Sequence, residues 1–410
     1  MCGFELDRDP VVAFAGQDSL RAALNRPEVH SVKLFDCQNC GQTLFFENTR
    51  CERCGLRLGY DAEAQQLWAL ERDSEQMGHL IWRKAGDPGR SVKFCLNAEH
   101  DVCNWLLPAG SPDRYCVACR HNRTVPDLGR ENNRVLWQQM EFAKHRLFYT
   151  LLALKLPLVT RAQDPREGLI FEFKEDESED NRVMTGHDHG DITINIAEAD
   201  DAERERRRTS MREPYRTLLG HFRHEIGHYY WDRLVRDAPA LEPCRAIFGD
   251  ERADYDGALR HHYREGPPPN WREHYVSAYA TTHPWEDFAE TWAHYLHIVD
   301  TLNTAEAFGI RIRPKGIVAS EALAVEIDFS PYTAASIAPL IESWVPLTFA
   351  VNSLNRSMGL RDFYPFVLTP TIIEKLGFIH DLVHGWVGAE RRAQPRIDTE
   401  ERNVPDTNAA

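Results

Sequence analysis

Residues 221–232 read HFRHEIGHYYWD and place His224, Glu225 and His228 in the order His-Glu-x-x-His. On a helix, two histidines four positions apart share a face, about 6 Å apart along the axis, so both imidazoles can reach one ion. Glu225 is turned by about 100° from His224, beside such an ion, where it can take a proton from bound water rather than ligate. The motif also arises by chance in histidine-bearing helices, so a catalytic zinc needs a third ligand. A histidine six residues after His228 would complete a three-histidine site, but that position is Leu234. A carboxylate on a later helix is the other solution. WEDFAETW (285–292) offers Glu286 and, one turn on, Glu290. They read as a ligand and a carboxylate that fixes an imidazole through its other ring nitrogen. The competing reading is a salt-bridged face of an amphipathic helix, and Asp254 in GDERADYD is the alternative third ligand.

Eight of the ten cysteines cluster between residues 37 and 119, leaving Cys2 and Cys244 apart. Cys37-x-x-Cys40 and Cys51-x-x-Cys54 are each followed by a glycine, Gly41 and Gly55, which tolerates the positive φ of a tight knuckle. Two such turns can close a tetrahedral four-thiolate zinc shell. Cys95, Cys103 and Cys116-x-x-Cys119 form a second, less regular set, in which His100 could replace a thiolate. Closed four-ligand sites leave no open position for substrate, so both clusters are expected to be structural. Such spacing reads as metal rather than disulfides.

These clusters and the helices must sit on a soluble scaffold, and the composition allows one. The chain has 410 residues, 42% hydrophobic and 27% charged, enough for more than one domain. No apolar signal-peptide core opens it. The apolar run at 148–159 contains Lys155 and Pro157 and is short of the roughly 20 residues a bilayer needs. A cytoplasmic protein without a membrane segment is expected. The net charge of −15 disfavours a general nucleic-acid or anionic-membrane binder. Residues 31–130 carry equal numbers of basic and acidic side chains. Trp68, Trp82 and Trp105 therefore read as core or interface, and a protein partner is expected there rather than nucleic acid.

Along the chain, a long helix is expected over 131–155, strands over 168–174 and 190–200, and a charged face or loop at 203–208. A helix over about 213–236 carries the His-Glu-x-x-His motif, and helices through about 303 carry Glu286 and Glu290. His221 reads as a packing residue or a partner of the site. His187 and His189 read as loop residues near the cleft, and the strand at 191–196 as the edge along which an extended peptide pairs. Four segments follow: a flexible segment 1–30, a cysteine-rich, zinc-ribbon segment 31–129, a domain 130–388 that carries the His-Glu-x-x-His motif and a disordered tail 389–410.

PWEDFAETW resembles the glutamate helix of the anthrax lethal factor type of gluzincin, Glu-aromatic-aromatic-Ala-Glu, with Asp287 in place of the first aromatic. That resemblance implies that Glu286 is a ligand and that the tyrosine seven residues earlier, Tyr279, assists the transition state. More broadly, the chain resembles bacterial zinc-binding metallopeptidases that pair an N-terminal zinc ribbon with a gluzincin-like domain. The resemblance covers roughly 31–385, through CNWLLPAG, YCVACRHNRTVPDL, TGHDHGDITINIAEADD, EPYRTLLGHFRHEIGHYYWD and PWEDFAETWAHYLHI.

The resulting expectation is an α+β, zincin-like metallopeptidase, read as an endopeptidase, with one catalytic and two structural Zn²⁺. His224, His228 and Glu286 hold the catalytic ion with water in the open position. Glu225 takes that water's proton, Tyr279 donates to the oxyanion, and Glu290 orients a ligand histidine. The rival reading is a catalytically silent, zinc-stabilised scaffold that binds a protein without cleaving it. The intact Glu225 argues against it, because a scaffold needs no base beside the metal.

Overall fold

The computed structural model describes residues 34–385 and 387, except 77–78, 131, 177, 179–181, 211–214 and 316–320. The expected flexible segment 1–30 and disordered tail 389–410 lie outside the described residues.

The two CxxC knuckles fold as their glycines require. β1 (Phe35–Asp36) and β2 (Thr43–Leu44) pair antiparallel around the first. Gly41 and Gly55 take φ of +70° and +76°, and each donates its N–H to the carbonyl of the first cysteine of its pair at 2.8 Å. An antiparallel five-stranded sheet follows, in chain order: β3 (Arg57–Asp61), β4 (Gln66–Gln76), β5 (His79–Lys84), β6 (Asp87–Phe94) and β7 (Leu106–Pro108). Period-two alternation sends Leu58, Tyr60, Leu67 and Ala69 into the main core. The opposite face carries a small cluster of Leu70, Val92 and Leu106 with Trp68, Trp82 and Phe94. Of the three tryptophans considered above, Trp105 alone is fully buried.

A second sheet has the order β10-β11-β9-β8. β8 (Asn122–Thr124) and β9 (Ile170–Lys174) are parallel, joined by the crossover helix α1 (Asn133–Ala153). β10 (Gly186–Asp188) runs antiparallel to β11 (Asp191–Asn195), which is parallel to β9. The peptide-pairing edge expected at 191–196 is therefore misplaced: β11 is interior, and the edge on that side is β10, with β8 at the other. Three residues, two of them polar, are too few to show a period-two pattern in the sequence.

The front end shares one hydrophobic core with the residues that follow it. β8, from the expected ribbon segment, is a strand of the second sheet. Tyr149 of α1 packs 5.6 Å from Phe46, and Phe46 lies 4.8 Å from Tyr60 of β3, within one continuous core.

The charged run at 203–208 lies in a helix, α2 (Asp201–Ser210). The motif helix α3 spans Leu218–Trp231 and widens into a π-turn over Asp232–Arg236. Thr217 caps it by accepting the Gly220 N–H at 3.0 Å. α1 and α3 share one face of the second sheet, where Phe171 meets Phe148 at 6.0 Å and Phe222 at 5.7 Å. α4 (Leu241–Phe248), α5 (Tyr255–Glu265) and α6 (Pro284–Ala307) follow. A β12–β13 ribbon (Arg311–Ile312, Val325–Glu326), α7 (Ile337–Ser357) and α8 (Pro370–Val383) complete the described chain. α7 is long and apolar enough, by length and composition alone, for a membrane span, and it leaves Phe349 and Leu354 exposed. It is a longer apolar stretch than the run at 148–159.

Two features bring α3 against α6. Gly227, inside the motif, has no side chain to hold the helices apart: a Cβ there would sit 3.0 Å from Cα of Ala289 and 3.2 Å from Cβ of Trp292. Arg223, next to His224, forms a buried ion pair with Asp300 of α6. Asp300 also accepts from Thr150 of α1 (2.7 Å) and from Tyr332 (2.6 Å). Breaking a buried pair strands a charge at about 3–5 kcal/mol. Asp300→Ala should therefore lower unfolding free energy by about that amount in urea titration. A loss under about 1 kcal/mol, within the range of exposed pairs, would remove this pair from the account of helix docking.

Candidate metal centre

Among the described residues, four sets of potential metal-binding side chains converge at three centres, because Cys119–Glu141–His145 shares its cysteine with the second cysteine set. In the first, Cys37 and Cys54 sulfurs lie 3.6 Å apart, as do those of Cys40 and Cys51. A tetrahedral zinc with Zn–S bonds of about 2.3 Å has sulfurs about 3.8 Å apart, so the donor set fits that ion. The second brings Cys95, Cys103, Cys116 and Cys119 together, with Cys103 and Cys116 sulfurs 3.9 Å apart. The N–H groups of Trp105, Cys116 and Cys119 point at cluster sulfurs at 3.4 Å. His100 lies tilted against Trp137, ring centroids 5.6 Å apart, and is not part of the cluster.

The histidine that does stand there is His145 of α1, with Nε2 3.5 Å from Cys103 Sγ and 3.7 Å from Cys119 Sγ. Behind it, buried Glu141 pairs with buried Lys144 at 2.8 Å. Nothing in the cysteine spacing points to a helix beginning beyond the cluster. The available sign was the i,i+4 placement of Glu141 and His145 within an apolar helix.

The third group is His224, His228 and Glu286. The two imidazole Nε2 atoms lie 3.2 Å apart, and Glu286 Oε2 lies 3.0 Å from one and 3.5 Å from the other. A tetrahedral ion with bonds of roughly 2.0–2.1 Å separates its ligands by roughly 3.4 Å. Glu286 Oε2 is buried without a hydrogen-bond partner, which would cost folding energy unless something else satisfied it. These residues fit zinc.

The surroundings orient this set. Glu290 Oε1 lies 2.7 Å from His224 Nδ1, and Ser277 donates to Glu290 Oε2 at 2.5 Å. Burial alone would raise the Glu290 pKa, but the His224 hydrogen bond and charge hold it at about 2. Burial would likewise raise Glu286, and the facing His228 and His224 keep it well below the usual carboxylate range. Trp285 lies against the His228 ring, centroids 3.8 Å apart. The Tyr279 ring is 5.9 Å from that of His224. Burial, then the charge of Glu286, raises the Tyr279 phenol well above its ordinary value, with Glu225 contributing. Glu225 itself is buried beside His224 and outside the three-ligand group.

One residue here had no signal in the sequence. Tyr255, at the start of α5, donates its hydroxyl to Glu286 Oε1 at 2.7 Å. Asp254, the alternative third ligand, instead caps α5 by accepting the Gly257 N–H at 3.1 Å. His221 pairs with buried Glu198 at 2.9 Å. His187 packs 6.1 Å from both His228 and Trp285, and burial lowers its pKa to about 3, whereas His189 is exposed. The Asp287 that departs from the aromatic pattern is fully buried, 2.6 Å from Lys375 of α8. The salt-bridged side chain of this helix turn is thus Asp287, while Glu286 and Glu290 face the histidines.

A zinc-ribbon domain family matches residues 34–130. Uncharacterized proteins of Mycobacterium bovis and Mycobacterium tuberculosis are each 41% identical over 350 residues, covering 85% of this chain and 94% of theirs. No solved structure matches significantly. Residues 133–382, which contain the whole His224–His228–Glu286 group, match the family described as "Putative zinc-binding metallo-peptidase". The chain is a member of that metallopeptidase family, with a zinc-ribbon domain in front.

Proposed function

We propose that the protein is a gluzincin-like endopeptidase, in which His224, His228 and Glu286 hold one catalytic zinc and the two cysteine sets hold structural zinc. The observation that carries this reading is the tetrahedral-edge spacing of 3.0–3.5 Å among the three donor atoms, with Glu290 behind His224. Bound zinc would supply Lewis acidity, polarising a peptide carbonyl and letting water lose a proton near neutral pH.

The chain's own residues do the rest. Glu290 accepts the His224 Nδ1 proton, which leaves the Nε2 lone pair facing the ion. Glu225 accepts the proton of the attacking water and delivers it to the leaving nitrogen. The Tyr279 hydroxyl donates to the oxygen on which charge develops. The edge of β10 offers backbone groups to an extended peptide. The front sheet, with half-buried Trp68 and Trp82 outside, is proposed to meet a protein partner in the cytoplasm.

Elemental analysis of protein purified without added metal should give three zinc ions per chain. Glu286→Ala should lose one of them and Asp254→Ala none. Peptide hydrolysis should vanish on chelation and return with zinc. A count of three that Glu286→Ala leaves intact would remove Glu286 from the site. Full activity in metal-free protein would end the reading.

A further inference from the structure

A carboxylate that ligates through one oxygen needs a partner for the other, and such partners set the direction and strength of the ligand. In Glu286 the two oxygens are already distinct. Oε2 faces His224 and His228 Nε2 without a hydrogen bond, while Oε1 accepts from Tyr255. We infer that Tyr255 is the positioning residue of the metal centre: its hydroxyl holds Glu286 to single-oxygen ligation and aims Oε2 at the ion. This rests on the proposed ligand set and adds a residue that neither the motif nor the family match indicates.

The hydroxyl is held in place by its own neighbours. Ala253, two residues before Tyr255, accepts from His283 Nε2 at 3.1 Å. His283 Nδ1 in turn accepts the Trp285 N–H at 3.1 Å and caps the helix that carries Glu286. The Tyr255 ring stands edge-on to His283 (5.2 Å, 74°) and to Trp285 (6.0 Å, 76°). The start of α5 is thereby fastened to the start of α6, whereas α5 has no fully buried residue of its own. A phenol fits this place because it donates one hydrogen bond without adding a charge beside the ligand.

Tyr255→Phe deletes one oxygen and keeps the ring of a half-buried residue. Its test is metal binding, measured by adding cobalt(II) to protein whose third site has been emptied with chelator and whose cysteine sites stay loaded. The variant's cobalt(II) dissociation constant should rise by about 10–100-fold, the usual cost of losing such a partner. Its weak visible bands should shift as Glu286 changes denticity, while the intense thiolate bands of any cobalt in the cysteine sites stay unchanged. Tyr263→Phe, on an exposed tyrosine of the same helix, should bind as the wild type does.

A Tyr255→Phe protein that binds cobalt(II) within twofold of wild type, with unshifted bands, overturns the inference. The ligand set would survive that result provided Glu286→Ala still abolishes binding. If Glu286→Ala also binds normally, the ligand set itself falls and the inference with it.

Discussion

Glu225→Gln should keep the zinc content and unfolding midpoint of the wild type while peptide turnover falls by about 10²–10⁴-fold or more. The substitution is isosteric and removes only the ability to accept a proton. Glu225 is buried on α3, directly after His224, and stands outside the group of atoms that could hold the ion. Its loss therefore should not disturb metal binding, which Glu286→Ala would. The carboxylate that takes the water proton would then deliver it to the leaving nitrogen. Single-turnover kinetics at saturating zinc check this, and a variant with near-full turnover would remove Glu225 as the base.

Tyr279→Phe should lower kcat by about 10²–10³-fold, the typical loss for one oxyanion donor, with KM nearly unchanged. A donor aimed at developing charge acts more strongly in the transition state than on the ground-state carbonyl, so the loss falls on kcat. Two other polar side chains near the centre are engaged elsewhere. His283 uses both ring nitrogens in caps and ties, and Tyr275 lies under Lys375 with the ammonium 4.3 Å from its ring centroid. Tyr279 sits in a 3-10 turn, Tyr279–Thr281, beside the His224 ring, with its hydroxyl next to that of Tyr255. The two tyrosines are separable in solution. Tyr279→Phe should turn over slowly with normal metal affinity, and Tyr255→Phe should bind metal poorly. Wild-type kcat in Tyr279→Phe would reassign the oxyanion donor.

What the sequence made legible was local. The cysteine knuckles and the His-Glu-x-x-His helix are readable because their residues sit within one or two turns of each other, where spacing determines geometry. Glu286 and Glu290 share a turn of α6, three helices later, but Glu290 meets His224 across 66 residues, a meeting that the family resemblance and not local spacing pointed to. The missed residues act across long separations. Tyr255 meets Glu286 over 31 residues, His145 meets Cys103 over 42, and Lys375 meets Asp287 over 88. No periodicity encodes such meetings, because they follow from how helices dock. The exchange of β10 for β11 as the edge has a similar origin, since strand order is fixed by pairing partners and not by a strand's own pattern.

The parallel pairing of β8 with β9, with α1 passing over the second cysteine cluster between them, bears on how the protein would be made. The cluster belongs to the earlier-synthesised part of the chain, yet His145 and the sheet that receives β8 are synthesised after it. Metal binding to such a cluster is itself folding free energy. A cell short of zinc would then produce fewer folded copies rather than a full complement of slow ones. On the proposed reading, zinc supply would set the protein's abundance through the cysteines and its turnover through the histidines, two separate thresholds on one chain.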